Sequence, residues 1–155
     1  MYSWRAFYPE AVGQRCRSQI EAQHSRLMKG KKILIADDDS VTLETLGAQL
    51  RGAGFQVVTA IDAMQAFMVA QRSAPDAVLL DIQMPGGTGL DTLKRLRTSS
   101  KTQSIPVIAM SGLTSPDTGP RALALGAVEF LPKPVNFDRL RASLTRLLQP
   151  SAEQA

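Results

Sequence analysis

From Lys31 onward, short apolar runs alternate with longer amphipathic stretches, the pattern of a parallel sheet covered by helices on both faces. The run Ile33 to Ala36 stops at Asp37-Asp38-Asp39-Ser40, after which Leu43, Leu46 and Leu50 recur at helical spacing. Ser40 reads as the N-cap of this helix, and Gly52 and Gly54 mark its end. Gln56 to Thr59 predicts a second strand, Asp62 a cap, and Ala63 to Arg72 a helix whose Met64, Phe67 and Met68 form a stripe expected to face the core. Pro75 closes that helix.

Ala77 to Leu80 predicts a buried strand ending at Asp81, followed by the turn-rich Met84-Pro85-Gly86-Gly87-Thr88-Gly89 and a helix from Leu90 to Arg97. Val107 to Met110 predicts a fourth strand ending at Ser111, and a short helix is expected near Arg121 to Leu125, after Pro116, Gly119 and Pro120. Val128 to Leu131 predicts a fifth strand; Phe137, Leu140, Leu144, Leu147 and Leu148 mark the last helix. The expected fold is therefore α/β, a doubly wound five-stranded parallel sheet in three layers.

Residues 1–30 fall outside this rhythm. They read as a basic extension with a thin apolar stripe of Val12, Cys16, Ile20 and Leu27, and Met28 reads as an alternative start leading directly into the first strand. The body is expected to span 31–149, with 150–155 a short tail and no output domain beyond it.

Composition narrows the chemistry. The chain of 155 residues carries one cysteine, Cys16, and one histidine, His24, so neither a multi-cysteine nor a histidine-rich metal site is expected, nor a nucleophile paired with histidine. Charge is concentrated at the start: Arg5, Arg15, Arg17, Arg26 and Lys29 stand against Glu10 and Glu21, leaving 13 of 18 basic and 12 of 14 acidic residues to the body. That near-neutral body argues against nucleic-acid binding. With no signal peptide and no run of apolar residues long enough to span a bilayer, the expectation is a cytoplasmic chain without a membrane partner.

In an open parallel sheet, ligands bind beyond the carboxyl ends of the strands. Those ends deliver Asp37 and Asp38, Asp81, Ser111 and Lys133. Taken singly, each reads as a cap or a solvated side chain; at successive strand ends they read as one site. Gathered carboxylates repel unless a cation neutralises them, and a set of hard oxygen ligands favours Mg²⁺. Lys133 and Ser111 supply the positive charge and the hydroxyl that an anionic transferred group requires, so phosphorylation of a carboxylate is the chemistry implied.

At these residues the stretch from Lys31 to Leu148 resembles a response-regulator receiver domain of two-component signalling. Ile-Leu-Ile-Ala-Asp37-Asp38 resembles the acidic pair, Leu-Leu-Asp81-Ile-Gln-Met-Pro-Gly-Gly-Thr-Gly the phosphoacceptor segment, Ile-Ala-Met-Ser111-Gly the hydroxyl segment and Phe130-Leu-Pro-Lys133-Pro134 the lysine segment, with 30 residues from Asp81 to Ser111 and 22 from Ser111 to Lys133. The resemblance implies the flavodoxin-like strand order 2-1-3-4-5. It implies that Asp81 is phosphorylated by a histidine kinase or histidine phosphotransfer domain, and that Asp38, Asp81 and the main-chain carbonyl of Gln83 hold Mg²⁺, with Asp37 acting largely through bound water. Ser111 and Lys133 receive phosphate oxygens, Phe130 is the aromatic switch, and the Lys133-Pro134 bond is cis.

It further implies a signalling phosphoacceptor rather than a turnover enzyme. Output would pass through protein contact at the face of helix four, strand five and helix five, and Gln83 and Leu113 would tune the lifetime of the acyl phosphate. Gly119 and Pro120 depart from the family pattern where helix four begins, which predicts a short or delayed helix. The reading is a single-domain response regulator, with a receiver cut from a longer protein as an alternative. The rival from another class is a Mg²⁺-dependent phosphohydrolase working through an aspartyl phosphate, with Asp37-x-Asp39 as its formal nucleophile-acid pair.

Overall fold

The computed structural model describes residues 19, 22, 23, 25–84, 88–112 and 116–149. Strands β1 (Lys32–Ala36), β2 (Gln56–Ala60), β3 (Ala77–Asp81), β4 (Val107–Ser111) and β5 (Glu129–Pro132) alternate with helices α1 (Ser40–Gly52), α2 (Ala63–Ser73), α3 (Gly89–Thr98), α4 (Thr118–Ala124) and α5 (Phe137–Leu148). All neighbouring strands pair in parallel, in the order β2-β1-β3-β4-β5 predicted above. β3 and β4 are buried along their whole length, which is why they read as unbroken apolar runs rather than alternating ones.

The sheet separates two apolar layers. On one face Leu34, Val78, Leu80 and Ala109 pack with Ala66 and Ala70 of α2, Leu93 and Leu96 of α3, and Ala122 of α4. On the other, Ile33, Ile35, Leu79, Ile108 and Met110 pack with Leu46 and Leu50 of α1 and Leu140 and Leu144 of α5. Met28 joins this second layer and is buried, although it precedes β1.

Four expectations are corrected. α1 is capped by Asp39, not Ser40: the Asp39 carboxylate accepts from Val41 N and Thr42 Oγ1. α2 turns small residues inward, burying Ala63, Ala66 and Ala70, while Met64 and Met68 are exposed and Phe67 is half-buried against the core edge. The helix has two apolar stripes, and periodicity alone does not say which one the sheet covers. α4 begins at Thr118, ahead of Pro120, because a proline in the first helical turn sacrifices an N–H that has no intrahelical partner anyway. β5 starts at Glu129, leaving Val128 exposed in the preceding turn. Cys16, His24, Pro85 to Gly87 and Leu113 lie outside the described residues. Among the described residues no helix is long and apolar enough to cross a membrane.

Candidate functional site

Strand register builds the site. Ala36 pairs with Leu80, so the next residues, Asp37 and Asp81, emerge side by side from the centre of the sheet. Asp81 pairs with Met110, which sets Ser111 one step further along β4. Ser111 pairs with Pro132, and Lys133 N donates to Ser111 O at 2.9 Å, so the backbone of β4 holds the base of the lysine. Asp37 N donates in turn to Ala60 O at 3.0 Å, tying the acidic loop to the end of β2.

Side chains close the arrangement. Lys133 Nζ donates to Asp81 Oδ2 at 2.9 Å and stands 2.6 Å from Asp37 Oδ2. Asp81 Oδ1 accepts from Gln83 N at 2.9 Å, and Asp37 Oδ1 from Asp39 N at 2.9 Å. Burial pushes the Asp81 carboxyl above the usual carboxylate range and the Asp37 charge adds to this, against the lowering effect of the Gln83 amide and Lys133. For Lys133, burial acts downward, but the contacts with Asp37 and Asp81 outweigh it and hold the ammonium above its ordinary value. The charged forms of this pair depend on each other.

Asp37, Asp38 and Asp81 each offer an oxygen, and these lie within 4.8 Å of one another. Asp37 and Asp81 are buried and Asp38 is exposed, so the cluster opens to solvent on one side. Asp37 Oδ2 is a buried oxygen with no hydrogen bond of ordinary geometry, and the Lys133 ammonium stands 2.6 Å from it as its ion-pair partner. An all-oxygen donor set with a buried, incompletely satisfied carboxylate fits a hard divalent cation, and these three residues could hold one. Asp39 does not join them: it is exposed, and hydrogen bonds to Thr42 and Val41 at the start of α1 keep its pKa below the ordinary value.

Ser111 is buried beside the cluster, Gln83 contacts Asp81 through its amide, and the Lys133-Pro134 bond is cis. Phe130 lies back along β5 from the site, half-buried at the edge of the apolar layer and against Gly119 of α4.

One residue escaped the sequence reading, where it was only part of a turn. Gly89, the first residue of α3, is buried with its N–H bonded to Ile82 O at 2.9 Å, and a Cβ there would press into Ile82 Cα and the Asp81 carbonyl oxygen. Its signal was the glycine just inside an N-terminus that Thr88 caps through Asp91 N.

Residues 33–145 match the family model for the response regulator receiver domain. The chain belongs to that family. Among curated relatives, the receiver is 39% identical over 118 residues to Protein RcaC of Microchaete diplosiphon, 40% over 116 residues to the transcriptional regulatory protein ZraR of Klebsiella oxytoca, and 36% over 119 residues to the response regulator PleD of Caulobacter vibrioides. These matches take in 76%, 75% and 74% of this chain but only 18%, 26% and 26% of the relatives. This receiver thus spans a fraction of the length of those multidomain regulators.

Among solved structures, the chemotaxis response regulator CheY4 of Vibrio cholerae aligns with TM-score 0.71 at 31% identity, over 77% of this chain and 99% of that one. The signal receiver domain of a DNA-binding response regulator from Colwellia psychrerythraea aligns with TM-score 0.72 at 30% identity, over 77% and 99%. Receivers of two-component systems are phosphoacceptor signalling domains that interact with histidine kinases and downstream effectors, and the acidic cluster stands where this receiver could hold a metal.

Proposed function

We propose that residues 31–149 form a response-regulator receiver in which Asp81 takes a phosphoryl group from the phosphohistidine of a histidine kinase or histidine phosphotransfer domain. The observation that carries this reading is the Lys133 ammonium set between Asp37 and Asp81 beside the open acidic cluster. An Asp81 carboxylate oxygen bonds to phosphorus as the donor's P–N bond breaks, giving an acyl phosphate and a free imidazole. The Gln83 amide and Lys133 orient the Asp81 carboxylate before attack, and Lys133 and the Ser111 hydroxyl take the phosphate oxygens afterwards. Asp38 and Asp81 together with the main-chain carbonyl of Gln83 would hold Mg²⁺, with Asp37 acting largely through bound water, and the cation would neutralise the negative charge gathered at the site. Autocatalytic gain and loss of phosphate is the whole of the chemistry, without turnover of a separate substrate.

Output passes through contact with a protein in the cytoplasm. Ser111 shifts toward the new phosphate, Phe130 turns into the space it leaves, and the face of α4, β5 and α5 changes shape. Phe130 lacks a hydroxyl, so packing alone holds its inward position. The test is intact-protein mass after incubation with acetyl phosphate, with and without Mg²⁺, on the parent and Asp81→Asn. A gain of one phosphoryl group that needs Mg²⁺ and is lost in Asp81→Asn is expected. A Mg²⁺-independent gain, one surviving the substitution, or none with the fold intact overturns the reading.

A further inference from the structure

The geometry points to the outer face of α2 as a docking surface for an acidic amphipathic helix of another protein. Met64 and Met68, four apart on α2, are 64% and 41% exposed and so line one solvent-facing stripe, and Ile61, in the turn just before the helix, is 53% exposed. α2 already buries Ala63, Ala66 and Ala70 against the sheet, and Arg72 is its only charged residue. A helix face left to water is normally charged or polar, and here Gln65, Gln71 and Arg72 leave the two methionines between them uncovered. Methionine, unbranched and polarizable, suits a surface that shapes itself to a partner.

Charge selects the partner. Arg95 of α3 lies with its guanidinium carbon 4.4 Å from the centroid of the Phe67 ring, beside the stripe, and Arg72 extends from the last turn of α2. Among the described residues neither pairs with a carboxylate. The acids on the facing elements are occupied in capping: Asp62 accepts from Gln65 N, and Asp91 Oδ2 from the Thr88 hydroxyl. An apolar stripe rimmed by unpaired arginines is complemented by apolar anchors flanked with glutamate or aspartate.

The chain's own segments fit less well. Residues 1–18 carry Arg5, Arg15 and Arg17 against Glu10, and residues 150–155 have no large apolar side chain. A second copy placed face to face would set arginine rim against arginine rim. The surface begins one residue past Ala60, whose carbonyl accepts from Asp37 N, so an occupant reaches the border of the acidic site. It does not depend on phosphoryl transfer.

The full chain, labelled with ¹³C at the methionine methyls, is titrated with two helical peptides of identical leucine spacing, one flanked by glutamate and the other by lysine. The glutamate peptide is expected to shift the Met64 and Met68 signals, leave those of buried Met28, Met84 and Met110 in place, and bind about tenfold more weakly in Met64→Gln/Met68→Gln. Arg72→Glu/Arg95→Glu is expected to reverse the preference between the peptides. Equal response to both peptides, no response at these methyls, or shifts that grow with protein concentration alone overturn the proposal, the last by showing a second copy as the occupant. The unmoved buried methyls report that each variant is folded.

Discussion

The Lys133 ammonium nitrogen stands 2.6 Å from Oδ2 of Asp37, a fully buried oxygen with no hydrogen bond of ordinary geometry to complete it. Lys133 also holds Asp81, so one cation stabilises two carboxylates that would otherwise repel across the centre of the sheet. In the metal-free protein, Lys133→Met is expected to cost about 2 kcal/mol at pH 7, because it strands buried charge. The sign of the pH dependence follows. Burial already lifts the Asp81 pKa in the fold, and losing the ammonium lifts it further. A carboxyl with a raised folded pKa binds protons more tightly when folded, so the variant loses stability as pH climbs from about 4 and regains part of it on acidification. The parent loses the contribution of Lys133 only above about pH 10, as pH rises through the raised folded value. Urea midpoints at pH 5, 7 and 9 check this; equal midpoints for parent and variant at pH 7 contradict it.

Gly89 sits where only a hydrogen atom fits. Its missing side chain lets the first turn of α3 lie directly on the Asp81-Ile82 backbone. Because the obstruction is main chain, Gly89→Ala has no flexible neighbour to displace, and the expected loss is about 3 kcal/mol despite alanine's higher helix propensity. The same shift is expected to slow labelling of Asp81 by acetyl phosphate. Thermal melting and the rate of mass gain report the two effects separately.

Gly119 presents the milder version of the same problem. A Cβ there would come 3.1 Å from Cδ1 of Phe130, close enough to move the ring by a few tenths of an ångström. In Gly119→Ala the gain in helix propensity of about 1 kcal/mol and the cost of moving the ring are expected to offset, leaving stability within about 1 kcal/mol of the parent. Aromatic resonances of Phe130 are expected to shift in this variant, and Gly119→Leu to be clearly destabilised.

Arg97 joins three segments of the chain. Its Nε donates to Gly126 O at 3.0 Å, and its Nη1 to Gln103 O at 2.9 Å and Ile105 O at 2.7 Å, tying the end of α3 to the approach to β4 and to the corner after α4. Arg97→Met, which keeps the apolar stem, is expected to cost about 1–2 kcal/mol, because the part-buried carbonyls of Gly126 and Ile105 lose their donor while the exposed Gln103 carbonyl turns to water. Arg97→Lys is expected to recover only part of it, because an ammonium cannot match the planar fork. Hydrogen exchange at Gly126 and Ala127 would rise in both variants.

The alternation of apolar runs and amphipathic stretches was enough to place five strands and the polar groups at their ends, because a strand buried on both faces must be apolar throughout and must stop where chemistry begins. Asp81, Ser111 and Lys133 were legible for that reason, and the strand order was legible through the resemblance their motifs carry. Tertiary structure decided the rest. In the polar run Asp37 to Ser40, capping fell to Asp39 once β1 ended at Ala36 and α1 took its direction. Of the two apolar stripes on α2, the sheet took the alanines, since small side chains let a helix approach closely, and left Met64 and Met68 to solvent. Gly89 and Gly119 owe their importance to what lies across from them, and the meeting of Lys133 with Asp37 follows from strand register between residues far apart in the chain. Local pattern reports which residues are apolar and where runs end; which surfaces meet is set only when the layers pack.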